Sequence, residues 1–131
     1  MMYLDANFFI FANLFDEKGT KAREILGRII QGKRAITSSL SLDEVMWVLI
    51  KNNLRHEVRK IIEEIYATPN IEVKEVAATV PLRALDFMEK HNLKPRDAFH
   101  AAVMEYCNVK EIVSDDADFD KIKSIKRIGL Q

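Results

Sequence analysis

Apolar residues along this chain follow two patterns, short runs and helical stripes. The short runs are mostly rich in β-branched residues and are too short to form independent helices, so they predict strands. They occupy residues 2–4, 35–37, 71–73, 111–113 and 125–128. Between them, apolar side chains recur every three or four positions, which is the spacing of an amphipathic helix. These stripes predict helices at residues 20–30, 42–49, 58–65, 81–90 and 95–106.

The first of these helices has residues suited to mark its ends. Thr20 is a plausible N-terminal cap, and Gly32 is placed to stop the helix just after residue 30. A further helical spacing near the amino terminus predicts a group of core residues. That group consists of Phe8, Phe11, Ala12 and Phe15.

Strands that alternate with helices require parallel crossover connections. The expected fold is a three-layer α/β/α sandwich with a central parallel sheet of four to five strands. No linker or internal repeat interrupts the chain, which predicts a single domain over residues 1–131. In such sheets ligands bind beyond the carboxyl ends of the strands. Functional residues are therefore expected where strands end.

Composition indicates a protein that folds without disulfides. The chain has 131 residues, of which 48% are hydrophobic, and this size is enough to bury a core. Cys107 is the single cysteine, as is typical of a reducing compartment, so we expect a cytoplasmic protein. The apolar stretch at residues 6–15 is about half the ~20 residues that a membrane span needs, so no membrane insertion is expected.

The charge balance at first disfavours a nucleic-acid partner. The 20 basic side chains equal the 20 acidic ones, so the formal net charge is zero. Proteins that bind phosphate backbones usually carry a basic excess.

Acidic residues follow the first and fourth predicted strands. Asp5 comes directly after residues 2–4, and four aspartates lie among residues 115–120. Neighbouring parallel strands are only ~4.8 Å apart, which would bring Asp5 and Asp116 together. Carboxylates this close repel one another unless a cation relieves the repulsion. The alternatives are that Asp5 caps a helix and that the other aspartates form a solvated turn.

Glu44 and Asp97 lie near the starts of predicted helices. Glu44 shares a helix face with Trp47 and Val48, and Trp47 is expected to pack in the core or in an interface. The alternatives are a helix-end salt bridge for Glu44 and a favourable interaction of Asp97 with the helix dipole. Carboxylate oxygens with few histidines favour Mg²⁺ or Mn²⁺ over zinc.

Four segments that span nearly the whole chain resemble the motifs of PIN domain ribonucleases, in particular the VapC-like toxins of VapBC-type toxin–antitoxin pairs. They are YLDANFFI at residues 3–10, SSLSLDEV at 38–45, LKPRDAFHAA at 93–102 and VSDDADF at 113–119. The resemblance implies a metal-dependent endoribonuclease acting on single-stranded RNA, a cognate antitoxin protein and a homodimer. The aromatic stripe near the amino terminus would then be, in part, a dimer or antitoxin surface. The alternative is a non-catalytic RNA-binding or scaffolding module of the same family.

The resemblance also implies roles for individual residues. The catalytic acids would be Asp5, Glu44, Asp97 and Asp116. The ligands of Mg²⁺ or Mn²⁺ would be Asp5, Asp97, Asp116 and Asp118. Supporting roles fall to Asn7, Ser38 and Ser114, of which Ser114 would orient the site. Because Asp115 precedes Asp116, the principal fourth acid is left open among Asp115, Asp116 and Asp118.

Basic residues beside these motifs change the meaning of the charge balance. Arg96, Lys121 and Lys123 are candidates for contacts with RNA phosphates, with plain surface solvation as the alternative. Setting aside Asp5 and the four other proposed site acids leaves 20 basic against 15 acidic side chains. A zero net charge is therefore compatible with RNA binding if the acids are concentrated in one site.

Overall fold

A central sheet of five parallel strands organises the protein, in a computed structural model that describes residues 1–13 and 16–131. The strands are β1 (Met2–Leu4), β2 (Ala35–Ser38), β3 (Ile71–Lys74), β4 (Glu111–Val113) and β5 (Lys126–Ile128). Their order across the sheet is β3-β2-β1-β4-β5. All five lie within a residue or two of the predicted runs, because the runs are mostly rich in β-branched residues and all are too short to form a helix.

Helices cover both faces of this sheet. They are α1 (Ala6–Ala12), α2 (Glu17–Ile30), α3 (Ser39–Lys51), α4 (Val58–Ala67), α5 (Val80–His91) and α6 (Pro95–Tyr106). Successive side chains of a strand point to opposite faces. Met2 and Leu4 therefore join the core under α1 to α4, whereas Tyr3 joins the core under α5 and α6. This arrangement confirms the predicted three-layer sandwich.

The strand order reverses beside β1. After β3 at one edge, the chain crosses to β4 on the other side of β1, which makes β1 and β4 neighbours. Leu4 is in register with Val113, and the amide of Asp5 donates to the Val113 carbonyl at 3.2 Å. The residues that follow the two strands, Asp5 and Ser114, consequently lie side by side at the carboxyl edge of the sheet.

The start of α2 differs from the prediction. The helix begins at Glu17, and the carboxylate of Asp16 accepts from the Gly19 amide at 2.8 Å. Thr20 as its cap is therefore wrong, because a better capping carboxylate stands four residues earlier. Gly32 is confirmed near the end of the helix, with a φ of 134° that favours glycine.

The aromatic stripe near the amino terminus lies on α1. Phe8 is buried, and Phe11 and Ala12 are half-buried against the same core. Phe15 of the predicted group lies outside the described residues. Within the described ranges, none of the helices combines the length and apolar character that crossing a membrane requires.

Candidate metal and nucleic-acid site

Asp5 caps a helix and also contacts the residues of the candidate site. One carboxylate oxygen accepts from the Ala6 amide at 2.7 Å at the start of α1. The other accepts from the Ser114 hydroxyl at 2.6 Å. The two interpretations of Asp5 are thus compatible, because the cap uses only one of the two oxygens.

Asn7 and Ser114 tie the exits of β1 and β4 together. The Asn7 amide group donates to Asp5 Oδ2 at 3.5 Å and to Ser114 Oγ at 3.4 Å. Its carbonyl oxygen accepts from the Asp115 amide at 3.4 Å, and Ser114 Oγ accepts from the Asp116 amide at 3.0 Å. These contacts fix the position of the Asp5 carboxylate and of the backbone that carries Asp116.

Three aspartates form a tight cluster at the same edge. Asp97 stands in the first turn of α6, and its carboxylate lies within 4.8 Å of those of Asp116 and Asp118. The Asp118 amide donates to Asp116 Oδ1 at 2.9 Å. Burial and the negative charges of Asp116 and Asp5 raise the pKa of Asp97 to about 7. The carboxylates of this cluster therefore repel one another, and a bound cation would relieve the repulsion.

Glu44 belongs to a buried hydrogen-bond network that crosses the sheet edge. His100 Nε2 lies 2.6 Å from Glu44 Oε1 and 3.7 Å from Asp5 Oδ1. His100 Nδ1 lies 2.6 Å from the Tyr3 hydroxyl, which also contacts Ser38 Oγ at 2.7 Å. Although burial opposes the charged imidazole, the hydrogen bond with Glu44 and the charge of Asp5 raise the pKa of His100. The imidazolium form can donate to both neighbours.

Sequence reasoning assigned no role to Tyr3 and did not identify Ser41, whose Oγ lies 3.3 Å from the Tyr3 hydroxyl. A signal for Tyr3 exists in the pattern, because a tyrosine in the middle of a short central strand must find a partner for its hydroxyl when buried. Ser38 accordingly has a role distinct from ligation. It caps α3 by accepting from the Ser41 amide at 3.4 Å and anchors the network.

Asp115 points away from the cluster. Its carboxylate pairs with Lys18 of α2 at 2.6 Å and accepts from the Leu130 amide at 2.8 Å. Burial works against this charge, but Lys18 and the Leu130 amide lower the pKa of Asp115 below its ordinary value. Of the adjacent pair, Asp116 is the acid that stands beside Asp97.

Two of the three basic residues proposed to contact RNA lie close to site acids, and the third is exposed. Arg96 Nε lies 3.6 Å from Glu44 Oε1, and Lys121 Nζ lies 3.4 Å from Asp118 Oδ1. Lys123 is exposed on the segment before β5. Arg127 donates two hydrogen bonds of 3.0 Å to the Asp120 carboxylate. This ion pair joins β5 to the segment that follows Asp118.

A cavity of about 400 Å³ opens over these residues. Its lining combines four acids with an apolar wall and two cations, and includes Asp5, Asn7, Ile10, Phe11, Glu44, Trp47, Val48, Lys94, Arg96, Asp97 and Asp116. Trp47 is 56% exposed, so its expected place in the core is wrong. The remaining expectation, an interface, stays a prediction.

The donor set fits a hard divalent cation. Both ring nitrogens of His100 are engaged in hydrogen bonds, so the available ligands are carboxylate oxygens. Asp97, Asp116 and Asp118 form one group of suitable spacing, with Asp5 and Glu44 next to it. Oxygen-only sites are typical of Mg²⁺ and Mn²⁺ and atypical of zinc.

We expect the metal-free protein to lose stability as the pH rises from about 5 to 8. The pKa of Asp97 is about 7 in the folded chain against an ordinary 3.8, and that of His100 is also raised, so the folded state binds both protons more tightly. Such stabilisation is present at low pH and is lost as the pH passes the folded pKa. Thermal unfolding in EDTA at pH 5 and pH 8 measures the change.

The matched control for this expectation is Asp97→Asn, which should flatten the pH dependence. Adding Mg²⁺ or Mn²⁺ at pH 8 should restore the melting temperature of the unsubstituted chain, because a ligand of the folded state stabilises it by mass action. A higher melting temperature at pH 8 than at pH 5 in EDTA would contradict the expectation.

The chain is similar to known proteins in both sequence and fold. The sequence matches the PIN domain family over residues 2–125. A comparison with curated proteins gave no match. Among solved structures, a sarcin–ricin loop cleaving toxin, VapC20 of Mycobacterium tuberculosis, is 18% identical, with a TM-score of 0.77 over 92% of this chain and 93% of that chain.

Two solved toxin–antitoxin complexes are also similar in fold. VapBC2 from Rickettsia felis, bound to a DNA fragment from its promoter, is 16% identical, with a TM-score of 0.75 over 98% of each chain. DNA-bound VapBC from Salmonella typhimurium is 17% identical, with a TM-score of 0.73 over 99% of this chain and 98% of that chain. Since the family match extends over nearly the whole sequence, the chain belongs to the PIN domain family.

Proposed function

We propose that this chain is a metal-dependent endoribonuclease that hydrolyses phosphodiester bonds of single-stranded RNA, as the cytoplasmic toxin of a type II toxin–antitoxin pair. The observation that carries the proposal is the convergence of Asp5, Glu44, Asp97 and Asp116 on one open cavity. These acids come from segments far apart in the sequence, and the fold brings them to the carboxyl edge of the sheet. A solvated acidic turn does not need such convergence.

The residues around the cavity have separable tasks in this proposal. A bound Mg²⁺ or Mn²⁺ would supply Lewis-acid stabilisation of the phosphodiester and activation of water. Asp5, Asp97, Asp116 and Asp118 would hold the ion, and Ser114 and Asn7 keep the Asp5 carboxylate in place. His100 orients Glu44 toward the cavity through its 2.6 Å hydrogen bond.

Basic side chains at the rim would hold the RNA backbone. Arg96 and Lys94 line the cavity, and Lys121 stands beside Asp118. Lys123 lies two residues further along the chain and is exposed. Phosphate contacts of this kind position a substrate without reading its sequence.

The proposed partners follow from the relatives of similar fold. VapC20 is described as a toxin that cleaves the sarcin–ricin loop, which supports RNA as the substrate. The complexes from Rickettsia felis and Salmonella typhimurium support a cognate antitoxin protein. We also propose a homodimer, on the family resemblance and on the half-buried Phe11 and Ala12 of α1.

Incubation of the purified chain with mixed single-stranded RNAs tests the activity. We expect internal cuts with Mg²⁺ or Mn²⁺ and none with EDTA, because without the metal no Lewis acid would activate water or stabilise the phosphodiester. Mapping the cut ends identifies the preferred position. RNA binding without cleavage under every metal condition would contradict the proposal and favour a non-catalytic RNA-binding module.

A further inference from the structure

Trp47 lines the same cavity as the acids Asp5, Glu44, Asp97 and Asp116. It lies on α3 three residues after Glu44, so the two side chains are neighbours on one helix face, about 5–6 Å apart at Cβ. The indole is 56% exposed, and Phe11 and Val48 line the same wall. Trp47 itself contributes little to the core, because more than half of the side chain remains in water, whereas Phe11 packs partly against the core.

We propose that Trp47 stacks on an unpaired nucleobase of the RNA whose phosphate lies at the acids. The inference rests on the proposed ribonuclease function and assigns Trp47 as a substrate-binding residue. Glu44 lines the same cavity as the site aspartates. The ~5–6 Å between Glu44 and Trp47 at Cβ is comparable with the distance between a phosphate and its own base. A backbone held at the carboxylates therefore places a base against the indole.

The charges around the cavity favour a nucleic acid over an apolar peptide as the occupant. Lys94 and Arg96 line the cavity together with Trp47. Sites for single strands combine cations that follow the backbone with aromatic platforms for the bases. The cavity of about 400 Å³ has room for a base and its sugar. A base in a duplex is already stacked on both faces, so the platform selects unpaired RNA.

The fluorescence of Trp47 reports directly on stacking, because this is the only tryptophan of the chain. In Mg²⁺, the protein is titrated with a labelled single-stranded RNA whose phosphorothioate linkages are cleaved slowly, and with an abasic strand of the same linkages and equal length. Anisotropy of the label follows binding independently. We expect quenching by the RNA and little quenching by the bound abasic strand. Equal quenching by both strands, binding of RNA without quenching, or no binding would overturn the inference.

The steady-state kinetics of variants at Trp47 provide a second test. Trp47→Leu should raise KM for single-stranded RNA roughly ten-fold with kcat little changed, the scale of one lost base stack at about 1.4 kcal/mol. Trp47→Phe should retain most of the affinity. Tyr106→Leu is the matched control, because Tyr106 is 76% exposed at the other end of α6. An unchanged KM in Trp47→Leu would overturn the inference and leave a partner protein as the occupant.

The two proposals fail in different ways. Cleavage that requires metal but leaves Trp47 unquenched preserves the ribonuclease and removes the stacking role. Base-dependent quenching without cleavage preserves stacking and removes the ribonuclease.

Discussion

Asp97→Asn is expected to reduce metal-dependent RNA cleavage on the order of a thousand-fold, the scale on which removal of one preorganised electrostatic group acts. Asparagine keeps the shape of aspartate but provides no negative charge for a cation. The charges of Asp116 and Asp5 both raise the pKa of Asp97, so its carboxylate lies close enough to interact with both acids. Initial rates with a fluorogenic single-stranded RNA in Mn²⁺ measure the loss.

The fold should survive this substitution. Asp97 is half-buried and repelled by its neighbours, so a neutral side chain removes an unfavourable interaction from the metal-free protein. Circular dichroism and urea unfolding check that point. Asp43→Asn, on the exposed face of α3 beside Glu44, is the matched control and should cleave at the normal rate. Equal rates for Asp97→Asn and the unsubstituted chain would contradict the assignment of Asp97.

The acids could be predicted from sequence because strand ends are visible in it. Asp5 follows a run of three apolar residues, and parallel strands deliver their carboxyl ends to one edge. Asp97 was recognisable from its place in the first turn of a helix after proline. Local patterns were sufficient to place these acids at the ends of elements, whereas their proposed roles came from the resemblance to PIN domain ribonucleases.

The sequence could not decide whether Asp115 or Asp116 lies in the acidic cluster. These neighbours have the same chemistry, and their separation depends on Lys18, which approaches from α2 and pairs with Asp115 at 2.6 Å. The Tyr3–His100 contact joins residues 97 positions apart. Such contacts depend on how α2 and α6 pack on the sheet, and no local periodicity encodes that packing.

The charge balance shows a related effect of three-dimensional placement. A formal charge of zero pointed away from nucleic acid, yet four acids share one cavity. Arg96 and Lys94 line that same cavity, within reach of a phosphate backbone. Net charge averages over a surface, whereas binding depends on the field at one cleft.

His100→Ala is expected to destabilise the fold by about 3 to 5 kcal/mol, because it breaks a buried hydrogen-bonded pair and leaves the Glu44 carboxylate with only Arg96, 3.6 Å away. His100 is 1% exposed, and the Glu44 side chain is only 13% exposed. Removal of the imidazole also opens a cavity next to Tyr3 and Phe119, whose rings pack against it in T-shaped contacts. Urea unfolding near pH 6 measures the free energy of unfolding.

His56→Ala is the matched control, because the His56 side chain is 72% exposed and should leave the free energy of unfolding nearly unchanged. A double-mutant cycle separates the pair from the cavity. In a Glu44→Ala background, His100→Ala should cost less by about 0.5 to 3 kcal/mol, since the hydrogen bond between the two residues is already absent. If the cost is the same in both backgrounds, the hydrogen bond between His100 and Glu44 contributes nothing to stability, and the loss is due to packing around the imidazole alone.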